Sequence, residues 1–258
     1  MEIKNQNFLI TGANRGIGLA VAKMAAKEKA HLHLVMRQPE NQLIKELSDL
    51  GALSVTIYLA DLSQRQGVED LVTKINKQPI DILFNNAGLL TGGLIEDQAL
   101  DEIYPMFQVN INSVVHLTRS ILPQMIRRKH GKIINNASVS AFMHFPCAST
   151  YAASKAAIVA FTNCLQAELN GTGVSTLCLV TPGIKTRMFD EIDDKYSKNF
   201  QIPTDSISPE EYAEKIKEKI ISDETYLFPQ GSTGVGLWIS KYLPFLFHKE
   251  IQRRFKRS

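Results

Sequence analysis

Runs of four to seven residues rich in aliphatic and β-branched side chains recur along this chain at 8–11, 31–36, 54–59, 80–84, 132–135, 174–180 and 225–228. Between them, apolar residues recur at helical spacing over 17–27, 42–50, 67–75, 111–128, 152–169 and 209–221. Continuous apolar runs suit strands covered on both faces, and a helix between successive strands supplies the crossover that parallel pairing needs. The expected architecture is therefore α/β: a doubly wound parallel sheet of about seven strands with helices on both faces. Its ligands should lie at the carboxyl ends of the strands.

Composition narrows the class further. The chain has 258 residues, 44% of them hydrophobic and 21% charged, which fits one globular domain and excludes a disordered polymer. The net charge of +3 is unevenly spread. Six Lys and Arg against one acid over 237–258 make that tail +5 and leave the remaining body at −2, so a nucleic-acid footprint on the body is not expected. Three cysteines, Cys147, Cys164 and Cys178, show no C-x-x-C spacing, and a reducing, cytoplasmic compartment without a metal site is expected. Met1-Glu2-Ile3-Lys4 runs almost at once into Phe8-Leu9-Ile10, so a signal peptide is not expected, and no apolar run approaches the ~20 residues that span a bilayer.

Directly after the first strand stands Thr11-Gly12-Ala13-Asn14-Arg15-Gly16-Ile17-Gly18, opening a helix. Glycines there let the backbone turn sharply and approach a pyrophosphate, whose charge the free N–H groups at the helix start stabilise. The second strand ends in Met36-Arg37, with no carboxylate until Glu40 to hold a ribose 2′-hydroxyl. Arg37, with Arg15, can instead pair with a 2′-phosphate through the guanidinium fork, so NADP(H) is the expected cofactor. Tyr151 and Lys155 stand four apart at a helix start and so share a face. An adjacent cation should bring the phenol below its usual value of about 10 and make the pair an acid/base.

Together with Asp61 after the third strand, Asn85-Asn86-Ala87-Gly88 after the fourth, Asn110, Ser138 and Pro182-Gly183-x-x-Thr186, these motifs resemble the short-chain dehydrogenase/reductase family, with its Rossmann-type sheet, over residues 5 to about 228. The resemblance implies catalytic roles for Asn110, Ser138, Tyr151 and Lys155: Tyr151 as general acid, Ser138 polarising the carbonyl, Lys155 tuning Tyr151 and holding the ribose, and Asn110 holding a relay water. It implies cofactor contacts from Gly12, Asn14, Arg15, Gly16, Ile17, Gly18 and Arg37, from Asp61 and Leu62 at the adenine, and from Asn86, Ala87 and Gly88 at the adenosine ribose. Pro182, Gly183, Ile184 and Thr186 would meet the nicotinamide end. It also implies a homodimer or homotetramer paired through the long helices at 111–128 and 152–169. Ser140 rivals Ser138, but the separation of Ser138 from Tyr151 is the family's usual one.

Hydride arriving at a carbonyl carbon leaves charge on oxygen, which calls for donors and a proton, and Ser138 and Tyr151 supply both. The expected function is an NADP(H)-dependent oxidoreductase interconverting a carbonyl and a secondary alcohol on an apolar small molecule. The ending departs from relatives acting on acyl-carrier substrates and looks more like the branch handling lipophilic or steroid-type carbonyls. A catalytically weak NADPH-binding sensor or scaffold is the alternative, and hydrolysis or isomerisation stays open. Phe142, Met143, His144 and Phe145 are expected to wall the pocket, with 184–207 as its cover. Residues 1–236 would form the catalytic domain and 237–258 a separate apolar and basic tail. Leu237, Trp238, Leu243, Phe245 and Phe247 are expected to pack inward, leaving the basic end to solvent or to peripheral membrane contact.

Overall fold

The computed structural model describes residues 1–185 and 206–257. Its elements run in chain order as β1 (Asn7–Thr11), α1 (Gly16–Lys27), β2 (His31–Met36), α2 (Asn41–Asp49), β3 (Ser54–Leu59), α3 (Arg65–Ile75), β4 (Ile82–Asn85) and α4 (Leu100–Phe107). A π-helical turn (Gln108–Asn112) then leads into α5 (Ser113–Arg128), β5 (Gly131–Asn136), a 3-10 turn (Val139–Ala141), α6 (Ser149–Glu168) and β6 (Val174–Leu179). The short strands β7 (Gly183–Ile184) and β8 (Ser206–Ile207) precede α7 (Pro209–Ile221) and β9 (Tyr226–Leu227), and the chain closes with α8 (Gly231–Tyr242) and α9 (Pro244–Arg254).

Seven strands form one parallel sheet in the order β3-β2-β1-β4-β5-β6-β9. The direction of winding reverses at β1, which pairs with β2 on one side, Leu9 opposite His33, and with β4 on the other, Leu9 opposite Leu83. This is the expected doubly wound sheet, a Rossmann-like single domain. One face is covered by α1, α2 and α7, where Phe8, Ile10, Leu32 and Phe84 meet Val21, Leu47 and Ile216. On the other face Leu9, Leu83 and Ile133 pack against Leu71 of α3, Leu117 and Ile121 of α5 and Leu165 of α6. At about 25 cal/mol per Å² of apolar surface, these two layers are the main favourable term of the fold.

Several expectations need correction. The helix at 100–107 carries Pro105 and was not anticipated; it abuts the π-turn rather than a loop, so α5 proper begins at Ser113 instead of 111. Strand β4 starts at Ile82, two residues later than expected, although the Asp81 backbone already bonds Asn7 and Lys132 on either side. β7 and β8 pair in parallel as a separate two-stranded sheet. Residues 186–205, most of the expected pocket cover, lie outside the described residues, as does Thr186.

The tail is helical from Gly231, ahead of the expected boundary at 237. Leu237 and Phe247 are buried against Met143 and Val180, as expected of an inward face. Trp238, Leu243 and Phe245 instead stand exposed, because α8 and α9 meet the body along one side only and those three lie on the other. Gly236 belongs to the packed side, where a Cβ would sit 3.0 Å from Met143 Cε. Among the described residues no helix is long and apolar enough to cross a membrane.

Candidate active site

At the winding reversal, Thr11 ties the carboxyl ends of β1 and β4 together. Its hydroxyl accepts from the backbone N–H groups of Asn86 and Ala87 at 2.9 and 3.0 Å and donates to the Phe84 carbonyl at 3.3 Å. The Asn86 amide donates to the carbonyls of Thr11 (3.0 Å) and Gly12 (3.2 Å), clamping the glycine turn from below. Asn86 therefore spends its side chain inside the protein, and the Ala87-Gly88 backbone is what this turn presents to a ligand.

Gly12 holds φ +67°, and a Cβ there would lie 3.0 Å from Ala87 Cα. A Cβ on Gly18 would lie 2.2 Å from the Gly12 carbonyl oxygen, so only glycine lets α1 start this close to the loop. Asn14, Gly16 and Ile17 complete a helix start at α1 with no side-chain cap, which leaves its first N–H groups for an anion. This cradle, closed to any side chain, fits the pyrophosphate of a dinucleotide. Arg15 and Arg37 are exposed and have no ion-pair partner among the described residues. Asp61 Oδ1 accepts from Ser63 N at 3.0 Å and Ser63 Oγ at 2.8 Å, shaping the turn after β3, and Leu62 is buried beneath it.

The expected proton-handling residues converge at the same sheet edge. Ser138 follows β5 and caps the 3-10 turn, its Oγ accepting from Ser140 N at 3.2 Å. Tyr151 and Lys155 lie on the first turns of α6, with Lys155 Nζ 5.6 Å from the Tyr151 ring centre. Ser138 lies close enough to Tyr151 to act on its phenol, whereas the buried Ser140 hydroxyl has no partner among the described residues.

The electrostatics differ from expectation. Burial pushes the Tyr151 phenol up to about 12, opposed by the Ser138 hydrogen bond, so within the protein's own groups Lys155 does not bring it down. Desolvation outweighs a cation that sits over the ring rather than beside the oxygen. Lys155 is lowered to about 8, again by burial, with Cys178 opposing. Both shifts favour the neutral forms.

Lys155 Nζ donates to the Asn136 carbonyl at 2.7 Å. The Asn136 side chain donates to Asn86 Oδ1 at 3.1 Å and accepts from Thr181 Oγ1 at 2.5 Å, and Thr181 in turn pairs with the buried Tyr212 hydroxyl. Asn136 thus joins the glycine turn to the lysine. Sequence reasoning missed it, although the tandem Asn135-Asn136 after the apolar Ile133-Ile134 and ahead of Ser138 was a visible signal.

Asn110 lies in the π-turn and is buried; its Oδ1 accepts from Leu89 N at 2.9 Å, and its Nδ2 donates to Leu89 O at 2.9 Å and Ser154 Oγ at 3.0 Å. Asn110 Oδ1 and Lys155 Nζ both border Gly88, 3.5 and 3.8 Å from where its Cβ would be. Pro182, Gly183 and the buried Ile184 close the far side, with Gly183 and Ile184 fixed by pairing to Ser206 and Ile207.

Beyond Ser138, Met143 joins Leu237 and Phe247, and Phe145 meets Phe247 edge-on at 6.1 Å. Ser240 Oγ donates to the Phe142 carbonyl at 2.6 Å, and His144 stacks with His248 at 6.2 Å. The expected substrate wall is thus braced by the tail helices. The arrangement can hold a dinucleotide along the glycine turn and deliver a proton and a hydrogen bond to a substrate oxygen at Tyr151 and Ser138.

Comparison with known proteins gives the same outline. Residues 6–197 match the family model described as short chain dehydrogenase. An uncharacterized oxidoreductase, YusZ, of Bacillus subtilis is 34% identical over 215 residues, covering 81% of this chain and 74% of that protein. A fatty acyl-CoA reductase of Acinetobacter baylyi is 33% identical over 226 residues, covering 85% and 74%. A solved short-chain dehydrogenase of Sphingobium yanoikuyae in complex with NADPH superposes with a TM-score of 0.81 at 20% identity, covering 98% of this chain and 97% of that one.

Proposed function

The chain belongs to the short-chain dehydrogenase family of oxidoreductases, and from that premise we propose that it is an NADP(H)-dependent enzyme interconverting a carbonyl and a secondary alcohol on an apolar small molecule. The observation carrying this reading is that Tyr151 and Lys155 meet beside Ser138, two residues past Asn136, whose carbonyl holds Lys155 at 2.7 Å.

Bound nicotinamide cofactor supplies or accepts the hydride. Gly12, Asn14, Arg15, Gly16, Ile17 and Gly18 would hold its pyrophosphate, Arg37 and Arg15 a 2′-phosphate, Asp61 and Leu62 the adenine, and Ala87 and Gly88 the adjoining ribose. Pro182, Gly183, Ile184 and Thr186 are assigned to the nicotinamide end. Lys155, held by the Asn136 carbonyl, would meet the second ribose. Ser138 donates to the substrate oxygen. Tyr151 gives that oxygen a proton in reduction and takes it back in oxidation. A phenol raised to about 12 is protonated at neutral pH and so has a proton to give in reduction. Asn110, fixed to Leu89 and Ser154, holds its carbonyl oxygen beside Gly88 for proton exchange behind Lys155.

Phe142, Met143 and Phe145 supply an apolar wall, which supports a lipophilic substrate. A fatty acyl-CoA reductase and a structure in complex with NADPH among the similar proteins support the same substrate class and cofactor. The three free cysteines support a reducing, cytoplasmic setting, and the outer edge of α5, with Val115 and Ile126 uncovered, supports pairing into a homodimer or homotetramer.

The test is NADPH consumption with a panel of hydrophobic ketones and aldehydes. The expected result is turnover by the wild type and loss of at least ~100-fold in Tyr151→Phe at an unchanged melting temperature, the range a general acid contributes. Tight NADPH binding with no turnover across the panel gives the scaffold reading instead.

A further inference from the structure

The helical hairpin α8–α9 has two unlike sides. On α8, Leu237 and Ser240 face the body, while Val235, Trp238 and Tyr242, spaced three and four apart, form a single outward stripe. Trp238 is 55% exposed and Tyr242 59%, their rings 5.5 Å apart. The stripe continues through the junction: Tyr242, Leu243, Pro244, Phe245 and Leu246 are five consecutive exposed residues, with Phe245 at 75% and Leu246 at 54%. Large apolar side chains contiguous at the tip of a folded hairpin mark a surface that meets something.

Cations flank this tip. Lys241 stands on one side, its Nζ 5.3 Å from the Tyr242 ring centre, and Lys249 and Arg253 follow at helical spacing from Phe245 on the other. Arg253 and Arg254 pair with Glu250, the one acid in a segment whose net charge is +5. We infer that the outer face of α8–α9 is a docking surface for an anionic lipid bilayer, with Trp238, Phe245 and Leu246 entering the interface and Lys241 and Lys249 meeting the headgroups, while Arg253, Arg254 and Arg257 are paired with Glu250 and Glu96.

The charge argues against a second copy of the chain as the occupant. A self-complementary contact through this face brings two +5 segments together, whereas a stable interface core is depleted of charge. An anionic surface is attracted by the same cations, at a strength that salt weakens. The inner face fixes the hairpin's orientation, because Leu237 and Phe247 are buried against Met143 and Ser240 holds Phe142. Docking therefore sets the Phe142–Phe145 segment one helix layer from the lipid, behind the hairpin. If the reductase reading above holds, an apolar substrate reaches that wall from the bilayer; docking itself does not rest on that reading.

The chain has a single tryptophan, Trp238, so its fluorescence reports directly on this face. Vesicles of phosphatidylcholine with about one-third phosphatidylglycerol should shift its emission to the blue and sediment the full chain at about 0.1 M salt, with phosphatidylcholine alone doing neither. Lys241→Glu with Lys249→Glu should weaken binding roughly tenfold or more. Phe245→Ser with Leu246→Ser should abolish it at an unchanged melting temperature, because both side chains are exposed. Turnover of a water-soluble ketone in vesicle-free buffer should be the same in all variants, which separates docking from catalysis. Absence of a blue shift, equal binding to uncharged vesicles, or a dimer that the Phe245 and Leu246 changes dissociate would each overturn the inference.

Discussion

The Lys155 ammonium donates to the main-chain carbonyl of Asn136 at 2.7 Å, and the side chain of the same Asn136 reaches Asn86 beneath the glycine turn. One residue thus aligns the proposed proton-handling lysine with the proposed phosphate cradle. Asn136→Ala keeps the carbonyl but removes the bonds to Asn86 and Thr181. Each is worth about 1 kcal/mol net, so a stability loss of roughly 2 kcal/mol is expected. Turnover should fall more than stability does, and the NADPH KM should rise with it. Thermal melts and steady-state kinetics on the same variant check this. A loss of stability with kinetics intact would make Asn136 structural only.

Lys155 gives a pH signature of its own. Burial lowers its folded-state value to about 8 from an ordinary 10.5, so the buried ammonium costs stability at neutral pH. The unfolded chain binds more protons than the folded one between those values, so stability from this group rises with pH across that window. Lys155→Met lacks the term. The melting temperature of the wild type should therefore gain on that of the variant between about pH 8 and 10, read from paired calorimetric scans. A gap that stays constant over the window would contradict the burial account.

Cofactor choice rests on charge. Arg37 is exposed at the end of β2 without an ion-pair partner among the described residues. A guanidinium bonded to a 2′-phosphate contributes about 1.5–3 kcal/mol, so Arg37→Asp should weaken NADPH at least tenfold and spare or improve NADH. Titration calorimetry with both nucleotides distinguishes this from equal loss, which would assign Arg37 to the fold.

Gly18 is tested by one carbon. A Cβ at that position lies 2.2 Å from the Gly12 oxygen and 2.6 Å from Asn86 Nδ2, so Gly18→Ala must push α1 off the loop. Overpacking of this kind costs about 1–3 kcal/mol, and nucleotide binding should be lost well before the fold is. Retained NADPH affinity in a destabilised variant would show that the cradle does not need this closeness.

The sheet was legible because its determinants are local. Alternating strand and helix periods placed all seven strands of the main sheet, and the glycine spacing placed the turn after β1. What escaped depends on contacts far apart in the chain. Asn136, Ser154 and Thr181 matter through partners 19 to 50 residues away, which no period encodes. α4 was hidden by Pro105 and α8 by Gly231, Gly234 and Gly236, residues that weaken a helical reading even where packing wants them. Two of the tail's five expected inward residues are buried: Leu237 and Phe247 follow from their apolar character, but only the tertiary contact decides which side of a hairpin is inner. The proposed site was legible as residue types and order, while its electrostatics were not, because burial overrode the neighbouring cation at Tyr151.

The π-turn at Gln108–Asn112 acts as a phase shim between two helices. Each helical residue advances about 100° around the axis, so dropping one residue there would rotate everything before it against everything after it by about that angle. α5 cannot turn, since Val114, Leu117, Ile121 and Met125 are locked in the core, and the whole rotation would fall on Asn110 and α4. Asn110 would swing off Leu89 and Ser154 while the sheet stayed intact. The count of residues across this turn, more than their identity, keeps the two halves of the molecule in step.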